Sequence, residues 1–154
     1  MAKGRSEIPI RQSLIDRLSD LEPWPETRKD SIRLLRDSLK RDVEWLLNTR
    51  KPAFLDPARF PSLASSVLCF GLPDPHTFDY SLGKAPSALA RAIEECLLKF
   101  EPRISRPRVT FVPEIASDRS LRFHVDGVLR YEDLEEEIKL DTVLELISGE
   151  YEVV

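Results

Sequence analysis

Glu101 is followed by arginines at 103, 106 and 108, with Pro102 and Pro107 set among them. A carboxyl group can serve as the general acid of glycoside cleavage when a second acid stands opposite it. That role needs a carboxyl that holds its proton, and neighbouring arginines favour the charged form instead. The same residues suit ion pairing at a protein interface. Pro102 has no N–H to donate and drives the residue before it out of the α region, so a helix reaching this point must stop. The stretch Phe100 to Arg108 therefore reads as a stiff junction that presents Glu101 and Arg103 from a helix end. Arg103 lies near the negative pole of that helix. Glu101, Pro102, Arg103, Arg106 and Arg108 are the candidate partner-binding residues. Taken alone, the Glu-Pro-Arg tripeptide is also what a simple helix stop with a solvated ion pair would look like.

Other chemistry finds little support. His76 and His124 are the two histidines, and neither has a second His or Cys at ligand spacing. His124 falls on the polar parity of Leu-Arg-Phe-His-Val, the position of a surface residue. Cys69 and Cys96 stand among apolar neighbours and read as core thiols. No serine sits in a Gly-x-Ser-x-Gly elbow, and the five glycines form no phosphate-cradling loop. The reading is a protein that is not an enzyme, with no catalytic residue, no metal and no cofactor.

The 154 residues suffice for one domain with a real core, and 42% apolar with 32% charged residues is ordinary for a soluble globular chain. The net charge of −4 conceals an asymmetry. Residues 131–154 carry nine acidic side chains against Lys139 alone, whereas residues 99–130 carry seven basic and four acidic ones. A basic junction beside an acidic C-terminal segment fits contact surfaces of opposite sign. The basic patch is small and lacks interleaved aromatics, so nucleic acid is not an expected partner. The N-terminus has no apolar stretch behind it, and no run approaches membrane-spanning length, so no membrane insertion is expected and the expected location is cytoplasmic.

The elements that must position the junction follow from periodicity. Residues 1–9 read as a disordered tail and residues 10–154 as a single domain. Ser13 to Leu18 makes a short amphipathic helix, stopped by Pro23 and Pro25. Ile32, Leu35, Leu39, Val43 and Leu46/Leu47 recur on one stripe, predicting a helix from Thr27 or Asp30 to Asn48, with Asp37–Arg41 and Lys40–Glu44 as i,i+4 pairs. Residues 49–86 are proline-rich, with Phe54, Phe60, Leu63, Phe70 and Phe78 available to pack a long connection down; such a connection is often functional. Pro86 and Ser87 open a second helix, with Leu89, Ile93, Cys96/Leu97 and Phe100 on one face. Beyond the junction the apolar residues alternate: Val109 and Phe111, then Leu121, Phe123 and Val125, then Ile138 to Leu146, then Tyr151 and Val153. Asp118-Arg119 and Tyr131-Glu132-Asp133 read as turns. The predicted class is α+β, with N-terminal helices packed on a small C-terminal antiparallel sheet of three to four strands.

Several blocks occur in a telling order. They are Arg41-Asp42-Val43-Glu44-Trp45-Leu46-Leu47-Asn48-Thr49-Arg50, then Ser66-Val67-Leu68 with Phe70-Gly71-Leu72-Pro73-Asp74, then Glu101-Pro102-Arg103. Phe123 to Leu129 and Asp141 to Leu146 follow. Over roughly residues 10–152 this resembles the TssE family of type VI secretion baseplate subunits, similar to the lysozyme-like wedge protein of contractile-tailed phages. Cys69-Phe70 departs from the Asn-Tyr usual in that family before Gly71-Leu72-Pro73. The resemblance implies a structural, non-enzymatic subunit whose partners are the other baseplate wedge subunits and the contractile sheath proteins. It implies that the sheet offers a template for the first sheath ring, and that Glu101, Pro102 and Arg103 are the functional hallmark.

Two other classes stay open on sequence alone. One is an anti-adaptor-like regulator of similar fold that binds a response-regulator partner. The other is a peptidoglycan hydrolase, which would need export.

Overall fold

The structure, a computed structural model, describes residues 9–19, 25–53, 59–63, 66–80, 83–113 and 120–154. The expected tail lies outside these residues apart from Pro9, as do Phe54 and the expected turn at Asp118-Arg119. Among the described residues three α-helices precede four strands, and the class is α+β. Contacts divide the chain into two compact units, with the boundary between Asp42 and Val43 inside the long helix.

In the first unit, helix α1 (Leu14–Leu18) begins at Ser13, whose hydroxyl accepts from the Asp16 N–H. Helix α2 (Arg28–Asn48) starts after Thr27, whose hydroxyl accepts from the Asp30 N–H at 3.2 Å. Ser31 fixes the segment ahead of α1: its Oγ accepts from the buried Ile10 N–H at 2.9 Å, while Gln12 Nε2 reaches the Ile10 and Ser31 carbonyls. The sequence pairs Arg41 with Asp37, but the guanidinium instead donates to Asp16 at 2.5 Å and to Asp42. The bond to Asp16 leads in raising the Arg41 pKa, against the opposing effect of burial. Helical spacing shows only local partners, and a carboxylate 25 residues away wins here.

In the second unit, the end of α2 and helix α3 (Ala85–Phe100) flank the sheet region. Lys84 stands at the N-cap position of α3 without a side-chain capping bond, Pro86 lies in the first turn where a missing N–H costs nothing, and Leu89, Ala90, Ile93, Cys96 and Leu97 are buried. Strands β1 (Ile104–Val112), β2 (Ser120–Tyr131), β3 (Leu134–Glu145) and β4 (Tyr151–Val153) form one antiparallel sheet in the order β1-β2-β3-β4. Helix α3 packs against β1. Phe123, Val125 and Leu129 from β2 face the core with Ile138, Leu140 and Leu144 from β3, while Arg122, His124 and Arg130 alternate outward.

Strand β3 starts earlier than the alternation predicts. The acidic run Glu135 to Glu137 belongs to the strand, opposite Arg130, Leu129 and Val128, and Glu135 pairs with Arg130 at 2.8 Å. The turn before it is Glu132-Asp133 alone, with Glu132 at φ +51°.

The 49–80 connection is tied down around Gly71 and Leu72. Arg50 and Leu72 form a parallel bridge, with Leu72 N–H donating to Thr49 O at 2.8 Å and Lys51 N–H donating to Leu72 O at 2.9 Å. Phe70 packs edge-on against Phe100 with centroids 5.4 Å apart. The buried Cys96 thiol donates to the Gly71 carbonyl at 3.4 Å. Burial pushes that thiol up to about 11, which keeps the donor protonated. Phe60, expected to pack this segment down, is instead 54% exposed.

The end of α2 also holds β4. Asn48 Oδ1 accepts from the Tyr151 N–H at 2.8 Å and its Nδ2 donates to the Tyr151 carbonyl at 2.7 Å. Glu44 Oε2 accepts from the Val153 N–H at 3.3 Å. These bonds meet the outward backbone groups that a further strand would otherwise take. Arg50 completes the clamp, donating to the Leu47 and Gly149 carbonyls with its guanidinium 5.8 Å from the Tyr151 ring centre.

Candidate partner interface

The helix-to-strand junction is built from its backbone outward. The Glu101 N–H still bonds the Leu97 carbonyl at 3.0 Å, but Glu101 itself leaves the helix at φ −120°, ψ 80°, as the following proline requires. Its carbonyl accepts from Ile104 N–H at 3.1 Å, closing a tight turn around Pro102. Its carboxylate then turns onto Arg103. Oε1 accepts from Arg103 Nε at 2.7 Å and from the Arg103 backbone N–H at 3.2 Å, and Oε2 accepts from Nη2 at 2.6 Å. Two parallel bonds between fork and carboxylate fix the pair in orientation as well as distance.

The pair is also withdrawn from water, with side-chain exposures of 14% for Arg103 and 6% for Glu101. Charges this poorly hydrated need a partner, and here each meets the other. The Arg103 carbonyl accepts from Arg130 N–H at 2.7 Å, tying the turn to β2. The five candidate residues thus divide in two. Glu101 and Arg103 pair internally and make the turn rigid, while Pro102, Arg106 and Arg108 are exposed on it.

The junction is already strand where the sequence reads a linker. Strand β1 begins at Ile104, and Pro107 is accommodated by a bulge between Ser105 and Arg108. Arg106 and Pro107 together face Gly127, with Arg106 at φ +52°. Proline is tolerated because β1 is an edge strand and its ladder is already interrupted there. Gly127 makes the bulge possible: a Cβ there would lie 2.7 Å from Ile104 Cγ2. A lone glycine within an alternating strand is the sequence signal for such a bulge. Farther along, Glu94 of α3 accepts from the outward Val109 N–H at 3.0 Å, a bond that neither residue's local sequence announces.

Arg106 and Arg108 project from this edge, and Glu135, Glu137 and Asp141 are exposed on β3, across β2 from it. His124 is half-exposed and bonds Asp141 across the strands, a surface role. Among the described residues no group of three or more His, Cys, Asp or Glu could hold a metal ion, and no helix is long and apolar enough to cross a membrane. The groove beside β4 has Glu44, Asn48 and Arg50 along it, and these side chains are already spent on holding the β3–β4 backbone.

A search of curated proteins finds no match to the chain. A family model described as baseplate wedge protein gp25 matches residues 33–134, from within α2 through the start of β3. That span contains the whole junction, the bridge at Gly71-Leu72 and the bulge opposite Gly127. The chain belongs to the baseplate wedge protein gp25 family and has the structural role of a phage-tail-like baseplate subunit.

Proposed function

We propose that this chain is a wedge subunit of a type VI secretion baseplate, working on the cytoplasmic side as a scaffold rather than as an enzyme. It docks with the other wedge subunits and templates the first ring of the contractile sheath through its sheet edge and the Glu101-Pro102-Arg103 junction. The observation that carries this reading is the bidentate, nearly buried Glu101–Arg103 pair at the head of an edge strand. An internal lock of this kind removes conformational freedom from the turn before any partner arrives, so less ordering cost falls on association. Pro102, Arg106 and Arg108 are then the contact residues, and Glu101 and Arg103 are positioning residues.

Arg106→Ala/Arg108→Ala tests the reading without disturbing that pair. The double variant is expected to keep its circular dichroism spectrum and its wedge partners while recovering at least tenfold less sheath in co-purification. Unchanged sheath recovery would remove the arginines from the interface. If the unmodified chain recovers neither wedge nor sheath subunits, the anti-adaptor reading takes its place.

A further inference from the structure

Phe60, Val67 and Leu68 of the 49–80 connection turn large apolar side chains to solvent, the last two at 81% and 53% exposure. Scattered apolar residues on a surface are ordinary, but a group of them on one short knuckle marks a place where another surface settles. Two 3₁₀ turns, Pro61–Leu63 and Val67–Cys69, contact each other and carry this group. Their backbone is closed on itself. Leu63, Ser66, Cys69 and Phe70 donate their N–H groups to the carbonyls of Phe60, Leu63, Ser66 and Val67 in turn. The stem is fixed by the buried Cys69 and by Phe70, whose ring packs edge-on against Phe100 at the end of α3. The apolar side chains are therefore held out on a rigid mount.

The charges around this mount are mostly positive. From Pro57 to Pro73 the sequence contains Arg59 and no acid. The Arg59 guanidinium lies over the Phe60 ring, 5.5 Å from its centre. Lys51 donates its backbone N–H to Leu72, and Lys99 immediately precedes Phe100; both lysines are exposed. Burial raises the Cys96 thiol, and the ammonium groups of Lys51 and Lys99 act the other way, which places both near the stem. Glu95, a turn before Lys99 on α3, is outnumbered. We propose that Val67 and Leu68, with Phe60 beside them, form a docking surface for an amphipathic helix of a partner protein whose apolar stripe is flanked by acidic side chains.

The form of the occupant follows from what the mount leaves free. An extended segment needs main-chain partners, and the N–H groups of Leu63, Ser66, Cys69 and Phe70 are already donated within the two turns. Recognition falls to side chains. A helix brings a stripe of apolar side chains at i, i+3, i+4 and i+7 and satisfies its own backbone. Glutamate or aspartate alongside that stripe would meet Lys51, Arg59 and Lys99, which sets the orientation and rejects basic helices. A second copy of this chain is a poorer occupant, because its matching surface carries the same cations. The inference rests on the wedge-docking part of the proposed function and names the surface used and the kind of segment it takes.

The probe is a synthetic helical peptide with a leucine stripe flanked by glutamates, titrated onto the full chain while side-chain methyl resonances are followed. Shifts are expected at Val67 and Leu68. Val67→Ser/Leu68→Ser is expected to weaken binding at least tenfold. Lys51→Glu/Lys99→Glu, which keeps the apolar residues and serves should the first variant fail to fold, is expected to give a similar loss and to favour a lysine-flanked peptide. Leu14→Ser/Leu18→Ser on α1, where apolar side chains are also exposed, should leave binding unchanged. Shifts confined to Leu14 and Leu18, equal binding of glutamate-flanked and lysine-flanked peptides by the unmodified chain, or no binding at all would each overturn the proposal. Recovery of wedge subunits by the unmodified chain is read separately. Its failure with peptide binding at Val67 and Leu68 intact would sink the functional reading, and wedge recovery untouched by Val67→Ser/Leu68→Ser would sink this surface alone.

Discussion

Arg103→Ala is expected to lower the free energy of unfolding by about 3–5 kcal/mol, the cost of leaving one member of a buried ion pair without its partner. The Glu101 carboxylate, 6% exposed in the intact pair, would lose its bonds to Nε and Nη2, keeping only the backbone N–H of residue 103. The loss is a sizeable share of the roughly 5–15 kcal/mol that holds a typical domain together. Denaturant titration with an unchanged slope would show it as a lower midpoint. Glu101→Ala/Arg103→Ala should be less damaging than the sum of the single changes, because neither charge is then stranded. A loss below about 1 kcal/mol for Arg103→Ala is the figure for a surface ion pair and would contradict the positioning role. This expectation governs how any binding result on the two residues is interpreted, since weaker partner recovery by a partly unfolded variant says nothing about contact.

The second large effect is expected at Gly71. Its φ of +100° is a conformation that side-chain-bearing residues avoid, and an added Cβ would stand 2.7 Å from the Thr49 carbonyl carbon and closer still to its oxygen. The obstructing atoms are the Thr49 carbonyl and Cβ, none of them the far end of a flexible side chain. Gly71→Ala should break the bonds between Leu72 and its neighbours Thr49 and Lys51, each of about 1 kcal/mol, and add about 1–3 kcal/mol of backbone strain. The expected total is about 3–5 kcal/mol, read as a fall in thermal midpoint, and the 66–78 segment should become the first to be cut by protease. By contrast, a Cβ at Gly83 meets nothing within 4 Å, so Gly83→Ala at φ +65° serves as the control for strain alone. Equal losses at the two positions would show that crowding at Thr49 plays no part.

Much of the fold was legible because it follows from periodicity. Leu35, Leu39 and Val43 mark α2, Leu89, Ile93 and Leu97 mark α3, and Phe123 with Val125 marks β2, since each set is buried at the spacing that its element imposes. The start of β3 was less visible because three consecutive glutamates hide an alternation that only the backbone enforces. The head of β1 was hidden for another reason. Two prolines read as breakers, whereas an edge strand with a bulge has no use for the N–H that Pro107 lacks.

The candidate site was legible in its residues but not in its division of labour. The type and spacing of Glu101 and Arg103 pointed to an ion pair, and only the turn geometry shows that the pair closes on itself. Glu44, Asn48 and Arg50 stood in the block from Arg41 to Arg50 that carried the resemblance, but nothing local explains them. Their partners in β4 and its turn lie about a hundred residues away, as in the 103-residue separation of Asn48 and Tyr151. The ordered blocks therefore hold the proposed contact residues together with side chains that clamp the sheet.

The most direct test is residue-resolved hydrogen exchange on the chain, free and then assembled with wedge subunits and a first ring of sheath. New protection is expected in two places, the junction from Glu101 to Arg108 and an outer edge of the sheet, with the Asn48-covered β4 unchanged. Protection confined to the 49–80 connection and α2, with both sheet edges exchanging as in the free chain, would contradict the claim that this sheet is where the sheath begins.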